Sequence, residues 1–145
     1  MIQVVTMSAQ HIPALAELEK QCFADPWSEK ALSEELTNPS AVFRVALLDG
    51  EVAGYVGMLH VLDEGDICNV AVFDRFRRRG VATALLQNLL TYGEEKKLSF
   101  ITLEVRESNT GAQKFYETMG FVPIGVRKNF YDHPKEHAVL MNKMF

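Results

Sequence analysis

The chain has 145 residues, 48% of them hydrophobic and 23% charged, with a net charge of −4. That length and apolar content suit one globular domain over residues 1–145 and exclude disorder, while the negative balance argues against a general nucleic-acid binder. No apolar run approaches the roughly 20 residues of a membrane helix, and MIQVVTMSAQ lacks the basic start and apolar centre of a signal peptide, so a cytoplasmic protein off the membrane is expected.

Residues 3–6 are expected as a short edge strand. Ser8 is placed to cap a helix over residues 11–21 with Ile12, Leu15, Leu18 and Cys22 as its apolar side, and Pro13 is tolerated in its first turn. Pro26 stops that helix, and Ser28 caps a second over residues 29–36 with Leu32 and Leu36 inward, ended by Asn38 and Pro39. Strands over 42–48 and 51–62 flank an Asp49-Gly50 hairpin turn. Gly54 and Gly57 mark a bulge or a close backbone neighbour. A strand over 66–73 leads to a long helix from Val81 to about Lys97, weakened by Gly93. Residues 99–105 alternate as a strand with Ile101, Leu103 and Val105 on one side. Ser108 or Asn109 caps a helix to about Met119, and Gly120 stops it. Residues 121–127 and 136–144 form the last two strands, with an aromatic and polar loop over 129–135 between them. The order β-α-α-β-β-β-α-β-α-β-β predicts a mixed α/β (α+β) fold, a mostly antiparallel mixed sheet flanked by helices.

The densest signal is DICNVAVFDRFRRRGVATALLQNLL, residues 66–90. An apolar strand passes through a basic turn into a helix with Val81, Leu85, Leu86, Leu89 and Leu90 on one face. The first N–H groups of a helix have no internal partner, and its dipole favours negative charge there. Gly80 has no Cβ, so a phosphate can approach the main chain. Such a unit is also common in proteins that bind nothing there. Two features weigh against that: Arg77-Arg78-Arg79-Gly80-Val81-Ala82 matches Q/R-x-x-G-x-G/A, and it directly follows an apolar strand. Neither GxxxxGK[ST] nor GxGxxG is present. The arginines at 75 and 77–79 form the one dense basic cluster and suit a local anion better than a duplex.

Several residues are candidates for chemistry. Alternation favours a solvent-facing strand position for Glu104; the alternative is a general base for an amine nucleophile. Tyr116 lies on an apolar helix face, as a core tyrosine would, yet a phenol there can donate to a departing thiolate. Asn109 is explained as an N-cap. Trp27 is either a hydrophobic staple or a wall of a peptide slot, and Tyr131 lies in the late loop. Arg106 and Lys114 read as solvated charges. The N–H groups near Val70, Ala71 and Val72 are placed to meet a cofactor arm. The four histidines form no metal constellation, and Cys22 and Cys68, without CxxC spacing, read as reduced thiols in or near the core.

The pyrophosphate-loop match resembles that of the GNAT-superfamily N-acetyltransferases. Pro26-Trp27-Ser28, LEVRESNTGAQKFYETMGF and Arg127-Lys128-Asn129-Phe130-Tyr131 make residues 3–144 similar to the RimI family. Its members acetylate the N-terminal alanine of a small-subunit ribosomal protein. The resemblance implies the GNAT acyl-CoA N-acyltransferase fold, with acetyl-CoA as co-substrate and no metal. It makes Glu104 the base and Tyr116 the acid. It assigns Val70, Ala71, Val72, Arg77, Arg78, Arg79, Gly80, Val81, Ala82, Thr83 and Asn109 to acetyl-CoA. Trp27 and Tyr131 would receive the N-terminal segment of a protein substrate, ribosomal by this likeness, to a monomeric enzyme without direct nucleic-acid contact. Ala82 stands where many members have glycine, and residues 132–136 depart from the family pattern. The alternatives are an acetyltransferase acting on a small amine or a lysine side chain, and a non-catalytic module whose arginines contact RNA.

Overall fold

Alternation and turn chemistry give seven strands and four helices in the expected order. The computed structural model describes residues 1–145. The elements are β1 Ile2–Thr6, α1 Ile12–Cys22, α2 Glu29–Glu34, β2 Ala41–Leu48, β3 Glu51–Val61, β4 Glu64–Val72, α3 Val81–Glu95, β5 Phe100–Arg106, α4 Thr110–Thr118, β6 Val122–Asp132 and β7 Lys135–Met144. Asp49 and Gly50 both take positive φ, 52° and 84°, the backbone a two-residue hairpin turn needs. Ser28 caps α2 by accepting from the Ala31 N–H at 3.1 Å.

The strands form one sheet in the order β1-β2-β3-β4-β5-β7-β6. All neighbours are antiparallel except β4 and β5, which pair in parallel only from Glu64↔Phe100 to Ile67↔Leu103. Beyond that point β4 stays with β3 out to Val72, and β5 stays with β7 out to Arg106. The two central strands therefore part. The parting coincides with a β-bulge: Met58 pairs with Ile67 and Gly57 with Asn69, which leaves Cys68 unmatched. A bulge bends its strand and ends regular pairing. Gly57 is required beside it, because a Cβ there would lie 2.6 Å from the Phe43 ring.

Two apolar clusters hold the helices to the sheet. On one face α3 contributes Val81, Leu85, Leu86, Leu89 and Leu90, and α4 contributes Tyr116, against Ile101, Leu103 and Val105 of β5. On the other, α1 and α2 set Ile12, Leu15, Leu18 and Leu32 against Phe43, Val45 and Tyr55.

Three expectations are corrected. Leu36 is exposed, because α2 ends at Glu34 and a 3₁₀ turn over Glu35–Thr37 rotates it off the inner face. Most of residues 129–135 is hairpin rather than loop; β6 and β7 extend to a turn at His133 and Pro134, and a register shift between Arg127 and Tyr131 absorbs the surplus residues. Polar side chains hid that strand because β6 lies at the sheet edge, where neither face must be apolar. Gly93 lies near the end of α3 as expected, and it also leaves room for the last residue, since a Cβ there would stand 2.5 Å from the Phe145 ring. Cys22 is half-buried against the α1 core cluster, as expected, whereas Cys68 is exposed; both line the cleft described next.

Candidate functional site

The parting of β4 and β5 opens a cleft of about 1060 Å³. One of its walls is main chain. The Phe73 N–H donates to the Ala53 carbonyl at 2.8 Å, so strand alternation turns the N–H groups of Val72 and Val70 to the other edge, into the gap. The first closed hydrogen bond of α3 runs from the Ala84 N–H to the Gly80 carbonyl, 3.0 Å. The N–H groups of Val81, Ala82 and Thr83 thus have no partner within the helix. Gly80, at φ 80°, offers no side chain to cap them. Arg78 just before it is also left-handed, φ 63°, a conformation costing a non-glycine residue about 1 kcal/mol. Arg77 is held by Asp74 at 3.4 Å. Arg75 lies 4.8 Å over the Phe76 ring. Arg77 and Arg78 line the cleft, and Arg79 beside them is exposed.

The facing wall is made of side chains. Glu104 lies on the sheet face that carries α1, beyond the reach of its helices, and is half-buried. Burial, then the nearby Asp66 carboxylate, raise the Glu104 pKa above the usual carboxylate range, while Arg127, whose Nε is 3.5 Å from Oε1, opposes the rise. Tyr116 comes from α4 on the opposite face and is 9% exposed. Its hydroxyl is pushed up to about 12 by burial and by Tyr131. Tyr131 in turn is raised by burial and then by the Glu104 carboxylate. The three groups therefore share one electrostatic neighbourhood, reached through the gap from both faces of the sheet.

Trp27 and Tyr131 stand at the mouth. The Arg106 guanidinium lies 4.3 Å over the Tyr131 ring. It also donates to the carbonyls of Pro134 (2.8 Å) and His133 (3.3 Å) and to Glu136 Oε1 (3.2 Å). Glu136 Oε2 accepts from the Ser108 N–H at 2.6 Å. Arg106 is thus the tie that holds the β6–β7 turn against β5, not a solvated charge. Lys114 is exposed, as expected. Asn109 caps α4 through the Ala112 N–H at 3.1 Å and also lines the cleft.

Sequence reasoning passed over Glu19 and Asp25, and read His133 as a surface residue of the late loop. Glu19 is 1% exposed yet reaches the cleft. Its signal was positional, since Ile12, Leu15 and Ala16 lead the apolar stripe of α1 straight to residue 19. Asp25 and His133 meet at 3.0 Å across the mouth. Their sequence separation hid that pairing.

The family model described as Acetyltransferase (GNAT) family matches residues 12–121. The [ribosomal protein bS18]-alanine N-acetyltransferase of Haemophilus ducreyi is 35% identical over 144 residues, covering 95% of this chain and 97% of that protein. The enzyme of the same name from Escherichia coli strain K12 is 31% identical over 140 residues, covering 95% and 94%. A crystal structure of the Escherichia coli ribosomal-protein-S18-alanine N-acetyltransferase superposes with a TM-score of 0.91 at 29% identity, covering 99% and 94%. The fold is also that of the PaiA N-acetyltransferase of Thermoplasma acidophilum, solved in complex with coenzyme A, at TM-score 0.82 and 14% identity over 100% and 99% of the two chains.

Proposed function

From the premise that the chain belongs to the acetyltransferase (GNAT) family and is an acetyl-CoA-dependent acyltransferase, we propose that its acceptor is a protein N-terminal α-amine, that of the alanine of ribosomal protein bS18, the acceptor named for its relatives. The observation that carries this reading is the cleft itself. Unpartnered backbone donors line one wall, and Glu104 and Tyr116 enter the gap from opposite faces of the sheet.

The N–H groups of Val81, Ala82 and Thr83, with Arg77 and Arg78, hold the pyrophosphate. The N–H groups of Val70 and Val72 receive the rest of the cofactor, and one of them polarises the thioester carbonyl. Asn109 adds a side-chain contact on the same wall. Trp27 and Tyr131 flank the incoming peptide. An α-amine has a pKa near 8, so it needs modest help to lose its proton at neutral pH. Glu104 accepts that proton, and its raised pKa makes it a better base than an exposed carboxylate. The amine nitrogen bonds to the carbonyl carbon, and the carbon–sulfur bond breaks. Burial keeps Tyr116 protonated, so its hydroxyl donates to the sulfur as negative charge collects there. A thiolate with pKa near 8.5 is a weaker base than this phenolate, so the tyrosine acts chiefly through that hydrogen bond. The proton that finally neutralises the thiolate balances the one Glu104 returns to solvent.

The deciding experiment follows thiol release from acetyl-CoA with peptides beginning Ala, Ser, Met or Gly, and with spermidine. Preference for the alanine-first peptide is expected; turnover of spermidine alone overturns the acceptor assignment.

A further inference from the structure

Glu19 is a buried carboxylate that the transfer chemistry does not use. It lies near the end of α1, where it accepts three hydrogen bonds from three different elements. The Trp27 backbone N–H donates to Oε1 at 2.9 Å. The Tyr55 hydroxyl of β3 donates to Oε2 at 2.6 Å, and Asn69 Nδ2 of β4 to the same oxygen at 3.3 Å. All three donors are neutral, and burying a carboxylate without a cation is costly even when hydrogen-bonded. An apolar residue at this stripe position avoids that cost, so the carboxylate must be sought in what it holds.

What it holds is one side of the cleft mouth. Its backbone carbonyl closes α1 by accepting from the Phe23 N–H at 2.9 Å, and its side chain then catches the chain four residues further on, at Trp27. The Trp27 ring packs 6.1 Å from Phe43, and Phe43 packs 6.3 Å from Tyr55. Trp27 is thereby tied to Tyr55 of β3 by two routes, one through the tilted Phe43 ring of β2 and one through Glu19. Asn69 directly precedes Val70 in β4, the strand whose N–H groups face the gap. One side chain thus joins the acceptor wall to the strand that carries the cofactor-facing donors.

We propose that Glu19 is a positioning residue for the acceptor: it fixes the Trp27 loop against β3 and β4, and so sets the width of the peptide slot. The assignment of Trp27 to the peptide rests on the function proposed above; the fixing of the loop does not. The requirement is for acceptor oxygens rather than for charge. Asn69 Oδ1 is buried without a partner, so in a glutamine variant the Asn69 amide can turn over and offer that oxygen to the new NH₂. The glutamine oxygen meanwhile keeps the Trp27 N–H, and the Tyr55 hydroxyl accepts instead of donating.

Trp27 is the only tryptophan in the chain, so its fluorescence reports the loop without any acceptor present. In Glu19→Met, emission should shift to the red and acrylamide quenching increase. The KM for the acceptor peptide should rise about tenfold, the scale expected for losing hydrogen bonds to a charged group, with acetyl-CoA affinity unchanged. Glu19→Gln should restore both signals to near the wild-type values. Unchanged emission and KM in Glu19→Met overturn the proposal, as does equal damage from Glu19→Gln or a parallel loss of cofactor affinity. Amide hydrogen exchange on the unmodified protein tests the same contact even where Glu19→Met fails to fold. The Trp27 amide should be protected well beyond those of Ala24 and Asp25, and equal exchange overturns the proposal. A chain that is inactive on every peptide, yet shows the red shift in Glu19→Met, would refute the acceptor and leave the loop assignment standing.

Discussion

The two walls of the cleft are built from different materials. On the β4 and α3 side the ligand-facing groups are backbone N–H donors, fixed by a bulge at Cys68 and by left-handed residues at Arg78 and Gly80. On the β5, α4 and hairpin side they are side chains, Glu104, Tyr116 and Tyr131, with Trp27 added from the α1–α2 loop. A substitution on the second wall deletes a chemical group. On the first wall it leaves every donor in place and changes only the conformation that aims it. The side-chain wall should therefore control turnover, and the main-chain wall cofactor affinity.

The sharpest break in that division is expected from Glu104→Gln. Steady-state turnover should fall by about 10²- to 10⁴-fold, the range for removal of a general base, while calorimetry shows acetyl-CoA binding intact. Thermal stability at pH 7 should not fall. A carboxyl whose folded pKa is raised contributes stability at acid pH that is lost as pH rises through that pKa, so at neutral pH the charged form is the penalised one. A loss of cofactor affinity as the main effect would erase the division of labour.

Tyr116→Phe removes one hydrogen bond to the leaving sulfur and keeps the ring packed 5.9 Å from Phe121. Turnover should drop by roughly a hundredfold, again with cofactor binding preserved. On the opposite wall, Gly80→Ala puts a Cβ on a residue at φ 80° where there is open space around it. The cost is conformational, so acetyl-CoA affinity should weaken by about tenfold, and turnover at saturating cofactor should stay close to normal.

The smallest effect sharpens the comparison by pH. The acid limb of activity should lie above the ordinary carboxylate range, because Glu104 must be ionised to act and its pKa is raised. Asp66→Asn removes one cause of the rise and should move that limb to lower pH; Arg127→Ala removes the opposing cation and should move it higher. Rate profiles of the two variants shifting in the same direction would refute the placement of Glu104 among these charges.

Periodicity, caps and turn residues were enough for the element order. Each is a local property: Asp49-Gly50 makes its turn and Ser28 its cap whatever surrounds them. The strand, basic turn and helix N-terminus around Gly80 were legible for the same reason, since the three are contiguous. Glu104 and Tyr116 could be proposed as chemical types, but alternation and helix periodicity alone favoured a surface glutamate and a core tyrosine. Only the folded chain decided what surrounds them. The point where β4 and β5 part depends on pairing with β3 and β7. The Asp66 and Arg127 charges reach Glu104 across strands, and Arg106 and Glu19 find their partners on other elements. Pairing, burial and charge proximity depend on residues far apart in the chain, and no local pattern encodes them.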